Sequence, residues 1–237
     1  MYSLLLVDSD VEALRAYCNA LEGERFSCTV CENAAEVAAL ERTGAFDLLL
    51  MGMNLPDMNG FDFITSLRSQ TQIPIVAVAS REDLIDKIVA LEMGVDDYLF
   101  EPVNERELIA RVRNILRRSR TNYVGSVTRS RTYQFDGVEI DTSARLVRRD
   151  GISLGLTYVE YVILEMLIEA AGKTVSRELI SQKALGKELA PFDRSIDVHI
   201  SKLRKKLGEA RDRAERIVTV RGVGYFYSMP SEEKSAG

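Results

Sequence analysis

The segment from Asp193 to Gly208, DRSIDVHISKLRKKLG, places cations, a hydroxyl and apolar residues at helical spacing. On a helix, Ile196, Ile200, Leu203 and Leu207 fall within a stripe of about 60°, which makes a core face. Arg194, Val198, Ser201, Lys202 and Lys205 gather on the opposite side. Such a face offers charge to phosphates, and a hydroxyl and a methyl-bearing side chain to base edges in a major groove.

The next segment, RIVTVRGVGY, alternates apolar and polar residues, breaks at Gly222 and Gly224, and resumes with Tyr225-Phe226-Tyr227. That pattern predicts a β-hairpin with Arg221 at its tip. A basic helix followed by a basic-tipped hairpin predicts a winged helix. A solvated amphipathic helix beside an unrelated hairpin is the plainer reading. It is outweighed because helix and hairpin carry cations together. His199 is the sole histidine, so no histidine cluster exists for a metal or a catalytic triad.

The front half must position a different set of side chains. Short apolar runs at Leu4–Val7, Phe46–Met51, 73–79 and 96–100, with a strand at 26–31, alternate with helical patterns at 10–22, 33–43, 59–69, 81–93 and 104–118. Five strand-then-helix repeats predict a doubly wound parallel sheet covered on both faces. Ligands of such sheets bind beyond the carboxyl ends of the strands. The residues there follow Val7, Met51, Val78 and Phe100.

Length and composition bound the answer. A chain of 237 residues, 46% hydrophobic and 28% charged, suits two globular domains. No apolar run reaches the roughly 18 residues of a membrane span, and Met1 leads directly into a strand, so a cytoplasmic protein without a signal peptide is expected. Residues 1–118 hold 11 Lys+Arg against 20 Asp+Glu, and the remainder 20 against 16. The basic half is therefore the one expected to meet nucleic acid. Cys18, Cys28 and Cys31 all lie in the acidic half. Within a strand, Cys28 and Cys31 point to opposite faces, which favours buried packing over a redox pair.

The strings LTYVEYVILEML, DRSIDVHISKLRKKLG and TVRGVGY resemble the effector domain of OmpR/PhoB-type response regulators, and SQKALGKELAPFDRSIDVHISKLRKKLG resembles the Cpx-type envelope-stress members. The resemblance covers residues 133–227. It implies an α+β winged helix-turn-helix whose helix 192–208 enters the major groove of double-stranded DNA. Val198 and Lys202 would then face bases. Arg194, Ser195, His199, Arg204, Thr219 and Tyr225 would contact phosphates, and Arg221 would enter the minor groove. By the same analogy Leu185 to Pro191 lies near RNA polymerase.

Residues 1–118 resemble a response-regulator receiver domain, with the flavodoxin-like strand order that implies. Receivers carry an acidic pair after the first strand, a phosphorylatable aspartate after the third, a hydroxyl after the fourth and a Lys-Pro after the fifth. The aspartate is the nucleophile, the acids hold Mg²⁺, and the hydroxyl and lysine bind the phosphoryl group. This chain departs from that pattern. The acidic site reads Asp8-Ser9-Asp10. In DLLLMGMNLPDMNG, Gly52 stands four residues before Pro56, where the aspartate belongs. Ala79 replaces the hydroxyl and Glu101, before Pro102, replaces the lysine. No metal, cofactor or catalytic role is expected. Asp57 lies too far past Gly52 to reach the cleft, and Asp47 starts the strand at its opposite end.

The family also dimerises through its fourth helix, fifth strand and fifth helix. The matching charges are Lys87 with Glu107, Asp96 with Arg113 and Asp97 with Arg111, and Tyr98 matches the family's switch aromatic. The expected organisation is a receiver over 1–118, a linker over 119–132, an effector domain over 133–228 and a disordered tail over 229–237. The expected function is that of a phosphorylation-independent, homodimeric, non-enzymatic transcription regulator. The rival readings are a conventional phosphorelay regulator with Asp57 or Asp8 as acceptor, a redox sensor using Cys18, Cys28 or Cys31, and an RNA-binding antiterminator, which would lack the winged domain.

Overall fold

Long apolar runs bounded by helices leave a strand no polar face, and β3 (Leu48–Gly52) and β4 (Ile75–Ala79) are buried along their whole length. With β1 (Tyr2–Val7), β2 (Phe26–Cys31) and β5 (Asp97–Phe100) they form a parallel sheet of order β2-β1-β3-β4-β5, as the alternating pattern predicts. The protein is described by a computed structural model covering residues 1–42, 44–120, 132–142, 145–170, 172–210 and 215–228. It divides into two compact units, one built on the parallel sheet and one on the C-terminal half. Residues 121–131 of the expected linker and the whole expected tail 229–237 lie outside the described residues.

In the first unit, α1 (Val11–Glu22) packs with α5 (Glu105–Arg120), and α3 (Gly60–Arg68) packs with α4 (Leu84–Met93). Leu5, Val7, Leu49, Met51, Ile75 and Ala77 of the sheet share one core with Val37 of α2 (Ala34–Glu41) and with Phe63, Ile64 and Leu67 of α3. The period-2 alternation of strands sends these residues to one face and Leu4, Leu6, Leu48 and Leu50 to the other. All are buried.

In the second unit, β6 (Thr132–Phe135), β7 (Val138–Asp141), β8 (Leu146–Arg149) and β9 (Ile152–Ser153) form an antiparallel meander. The turns Asp136-Gly137 and Asp150-Gly151 have positive φ at both residues, as two-residue hairpins of matching twist require. Next come α6 (Tyr158–Glu169), β10 (Val175–Ser176), α7 (Arg177–Ile180), a π-helical turn over Ser181–Leu185, and α8 (Ser195–Leu207). The wing is β11 (Ile217–Val220) paired antiparallel with β12 (Gly224–Tyr227), which also pairs with β10. Helix α6 opens on a capping box in which Thr157 and Glu160 satisfy each other's backbone N–H.

The end of α8 is fixed by Arg149. Its guanidinium donates to the Leu207 carbonyl at 2.9 Å and the Glu209 carbonyl at 3.4 Å, filling acceptor positions that a helix end leaves open. Gly208 has φ +63°, and a Cβ there would strike Arg149 Nη1 and lie 2.9 Å from its Cζ. Gly208→Ala should therefore lower the unfolding free energy by more than about 1 kcal/mol, measured by urea denaturation.

Candidate nucleic-acid interface and receiver cleft

Helix α8 buries the stripe read from its sequence, since Ile196, Ile200, Leu203 and Leu207 are all in the core. The outer face is narrower than expected. Lys205 is exposed, Arg194 is exposed just before the helix, and Ser201 is half-buried. Val198 is only 7% exposed, which corrects the expectation of an outward methyl-bearing residue. Lys202 is also corrected. Its ammonium lies 3.4 Å from the buried carboxylate of Glu160, and its side chain is 14% exposed. By spacing Val198 lies near the middle of that face and Lys202 toward its edge, yet both are largely covered.

Several expected phosphate contacts are occupied within the chain. Ser195 donates both its N–H and its hydroxyl to Asp193, at 2.8 and 2.6 Å. His199 is buried. Arg204 donates to the Ile217 carbonyl at 2.6 Å and to the Thr219 hydroxyl at 2.8 Å, tying α8 to the wing. Tyr225 is buried and donates to Asp197. Thr219 and, at the wing tip, Arg221 are exposed.

A joint that the sequence did not announce holds these parts together. Arg177, the first residue of α7, forks onto both carboxylate oxygens of Asp197 at 2.8 Å each and donates to the Tyr225 hydroxyl at 2.7 Å. Bidentate geometry of this kind is the strong form of an ion pair. Arg177, through its hydrogen bonds, holds the Asp197 carboxyl below the ordinary carboxylate value against the opposing effect of burial. Burial, reinforced by Asp197, pushes Tyr225 up to about 12.

The receiver cleft forms where the sheet rule places it, at the carboxyl ends of the strands. Asp8 follows β1, Gly52 ends β3, Ala79 ends β4 and Glu101 follows β5. Asp8 accepts from the Asp10 N–H at 3.0 Å, and Ser9 stands beside it at 3.4 Å. Burial raises the Asp8 carboxyl above its ordinary value, and Glu101 and Asp10 add repulsion. The carboxylate fills the space a side chain at 52 would use. A Cβ on Gly52 would fall 2.5 Å from Asp8 Cγ and onto its Oδ2. Glu101 accepts from the Tyr17 hydroxyl at 3.1 Å. Asp10 is turned away, capping α1 through the N–H groups of Glu12 and Ala13.

These residues do not fit the Mg²⁺ of a phosphorylating receiver. Asp8 faces the cleft beside a glycine, the neighbouring Glu101 is engaged by Tyr17, and Asp10 is spent as a helix cap. Among the described residues no group of three His, Cys, Asp or Glu could hold a metal ion. Asp57 is held elsewhere, accepting from the N–H groups of Ala34 and Ala35 at 3.0 and 3.1 Å, which lowers its pKa. Asp47 accepts from the Ser3 N–H. Cys31 is buried and Cys28 partly so. Burial, then Cys18, pushes Cys28 up to about 12, so its reactive thiolate is scarce near neutral pH.

On the expected dimer face, Asp97 and Arg111 do meet, at 2.6 Å, but within one chain, and Arg111 also pairs with Glu107. Asp96 with Arg113 is a correction. Asp96 is fully buried, bound to Arg68 at 3.0 Å and to the Ile75 N–H at 2.9 Å, while Arg113 pairs with Glu24. Lys87 lies over the Phe100 ring, 5.8 Å from its centroid. Beside it, Leu84, Ile85 and Val89 of α4 are exposed.

A 2-1-3-4-5 receiver followed by a winged-helix DNA-binding domain defines a class, and the chain belongs to the OmpR/PhoB-type response regulators, which are transcription regulators. Models of the response regulator receiver domain and of the C-terminal part of transcriptional regulatory proteins match residues 4–113 and 151–227. The chain is 40% identical over 228 residues to the transcriptional regulatory protein CpxR of Klebsiella pneumoniae, covering 95% of this chain and 98% of that protein. It is 34% identical to the aerobic respiration control protein ArcA of Escherichia coli, covering 97% and 98%. A solved RitR variant superposes with a TM-score of 0.78 at 26% identity, covering 97% of this chain and all of that one. No helix among the described residues is long and apolar enough to cross a membrane.

The Asp197 pair has a pH signature. Because its folded-state pKa is lowered, its stabilisation is fully present above the unfolded value of about 3.9 and is lost as pH falls through the folded value. Denaturation between pH 7 and pH 2 should show a shallower loss of stability below about pH 4 in Arg177→Ala than in the parent protein.

Proposed function

We propose that this regulator binds DNA as a dimer without a phosphorylation signal. The observation that carries the reading is the Asp8 carboxylate standing where a nucleophile on residue 52 would have to stand. Ala79 offers no hydroxyl and Glu101 offers repulsion where a phosphoryl group would need a cation. A phosphoryl group with no differential contact in two receiver states shifts neither.

DNA contact is assigned to Arg194, Ser201 and Lys205 around α8 and to Thr219 and Arg221 of the wing. These residues are exposed or half-exposed on two adjacent elements. Dimerisation is assigned to α4, β5 and α5, where Leu84, Ile85 and Val89 leave apolar surface uncovered beside Lys87 and Glu107. By family analogy, the segment from Leu185 to Pro191 faces RNA polymerase, and the adjoining Phe192 is 91% exposed.

Treatment with a small phosphodonor and Mg²⁺ should leave the intact mass and the DNA affinity unchanged. A gain of one phosphoryl group on an aspartate overturns the proposal. Gly52→Asp alone should not create a response, since the new carboxylate displaces Asp8 and meets no cation. A phosphate response should need Ser9→Asp, Ala79→Thr and Glu101→Lys as well, read as DNA affinity with and without donor.

Sedimentation of the untreated protein should show a dimer, and Ile85→Asp should shift it to monomer. A monomeric parent protein that still binds paired half-sites would refute the assigned face. Lys205→Ala should weaken specific and non-specific binding alike and flatten the salt dependence by about 0.9 in slope, measured by salt titration.

A further inference from the structure

Glu160 lies in the first turn of α6 with its side chain fully buried. One oxygen accepts from the Thr157 N–H at 2.8 Å and from Lys206 Nζ at 2.6 Å, and the other lies 3.4 Å from Lys202 Nζ. Burial opposes its charge, but Lys206 and Lys202 outweigh burial and hold the carboxyl below its ordinary value. The helix cap needs only Thr157, and one cation suffices to neutralise one carboxylate. Two lysines of α8 are nevertheless drawn down onto it.

Lys202 lies about 60° round the helix from Lys205, at the edge of the outer face, and Lys206 lies one turn further along the same edge. We propose that Glu160 is a positioning residue that limits how many cations α8 presents to the DNA backbone. A lysine whose ammonium is held against a buried carboxylate does not reach a phosphate and displaces no counterion there, and that displacement supplies the sequence-independent part of binding. By withholding Lys202 and Lys206, Glu160 lowers affinity for random DNA more than for the true site, so it raises discrimination. This inference rests on the reading of α8 as the DNA-facing helix.

The test uses the full chain, a fragment carrying a site selected from random-sequence DNA, and a random-sequence fragment, each titrated with salt. Glu160→Gln keeps a carbonyl oxygen for the Thr157 cap and removes the charge. It should bind the random fragment several-fold more tightly at low salt, steepen the salt slope by about 0.9 for each lysine released, and narrow the ratio between the two fragments.

Lys202→Gln separates a released lysine from the mere loss of a negative charge. In the parent protein it should leave the slope unchanged. In the Glu160→Gln background it should flatten the slope by about 0.9. A folded Glu160→Gln protein with an unchanged slope overturns the inference, and so does a flattened slope for Lys202→Gln alone, which decides the matter even if Glu160→Gln does not fold. A parent protein without salt-dependent DNA binding overturns the reading of α8 and this inference with it.

Discussion

Every residue of β3 is buried, because helices cover both faces of the sheet it runs through. Its last residue therefore meets the cleft with neighbours already in place. At that position the chain has a glycine, and the Asp8 carboxylate at the adjoining strand end occupies the space a side chain there would use. Asp8 is then held by the Asp10 N–H and crowded by like charge, and Glu101 is engaged by Tyr17. Gly52 and Ala79 bring no polar side-chain group to this end of the sheet, and Asp8, Asp10 and Glu101 each accept hydrogen bonds within the chain. The fold survives this because the sheet core, built from Leu5, Val7, Leu49, Met51, Ile75 and Ala77, does not depend on the cleft.

The effector half solves a different problem, which is to hold a thin helix and a two-stranded wing at a set angle. Charged side chains supply the joints. Arg177 spans α7, α8 and β12 through Asp197 and Tyr225, and Arg204 spans α8 and β11. Glu160 fastens α6 to α8. Of these joints only Glu160's is a buried ion pair; such pairs add little net stability over well-packed apolar residues, but removing one partner strands the other's charge, so they define geometry sharply.

The order of elements, the parallel sheet and the core stripe of α8 could all be read from the sequence, since each rests on periodicity that burial enforces. The strand 26–31 was legible to the residue. The capping box of Thr157 and Glu160 emerged only with the structure, and nothing local revealed that Glu160 also meets Lys202 and Lys206, 42 and 46 residues away. The Arg177–Asp197 pair was hidden for the same reason. A helical wheel places residues around one axis, whereas exposure depends on what packs alongside. That is why Val198 and Lys202 read as outward, and why Asp96 read as a surface charge although Arg68 reaches it through the core edge.

The bonds made by the four-stranded sheet alter what counts as the DNA-binding module. The family model for the effector part begins at residue 151, two residues beyond Arg149. A fragment cut at that boundary would lose the guanidinium that closes α8. It would also lose Asp136, whose carboxylate and carbonyl hold Arg216 at 2.8 and 2.9 Å while that side chain is 4% exposed. The wing strand would then begin beside a buried guanidinium with no carboxylate to answer it. The segment that the family model delimits is thus smaller than the set of elements that closes α8 and neutralises Arg216, and the meander belongs with both.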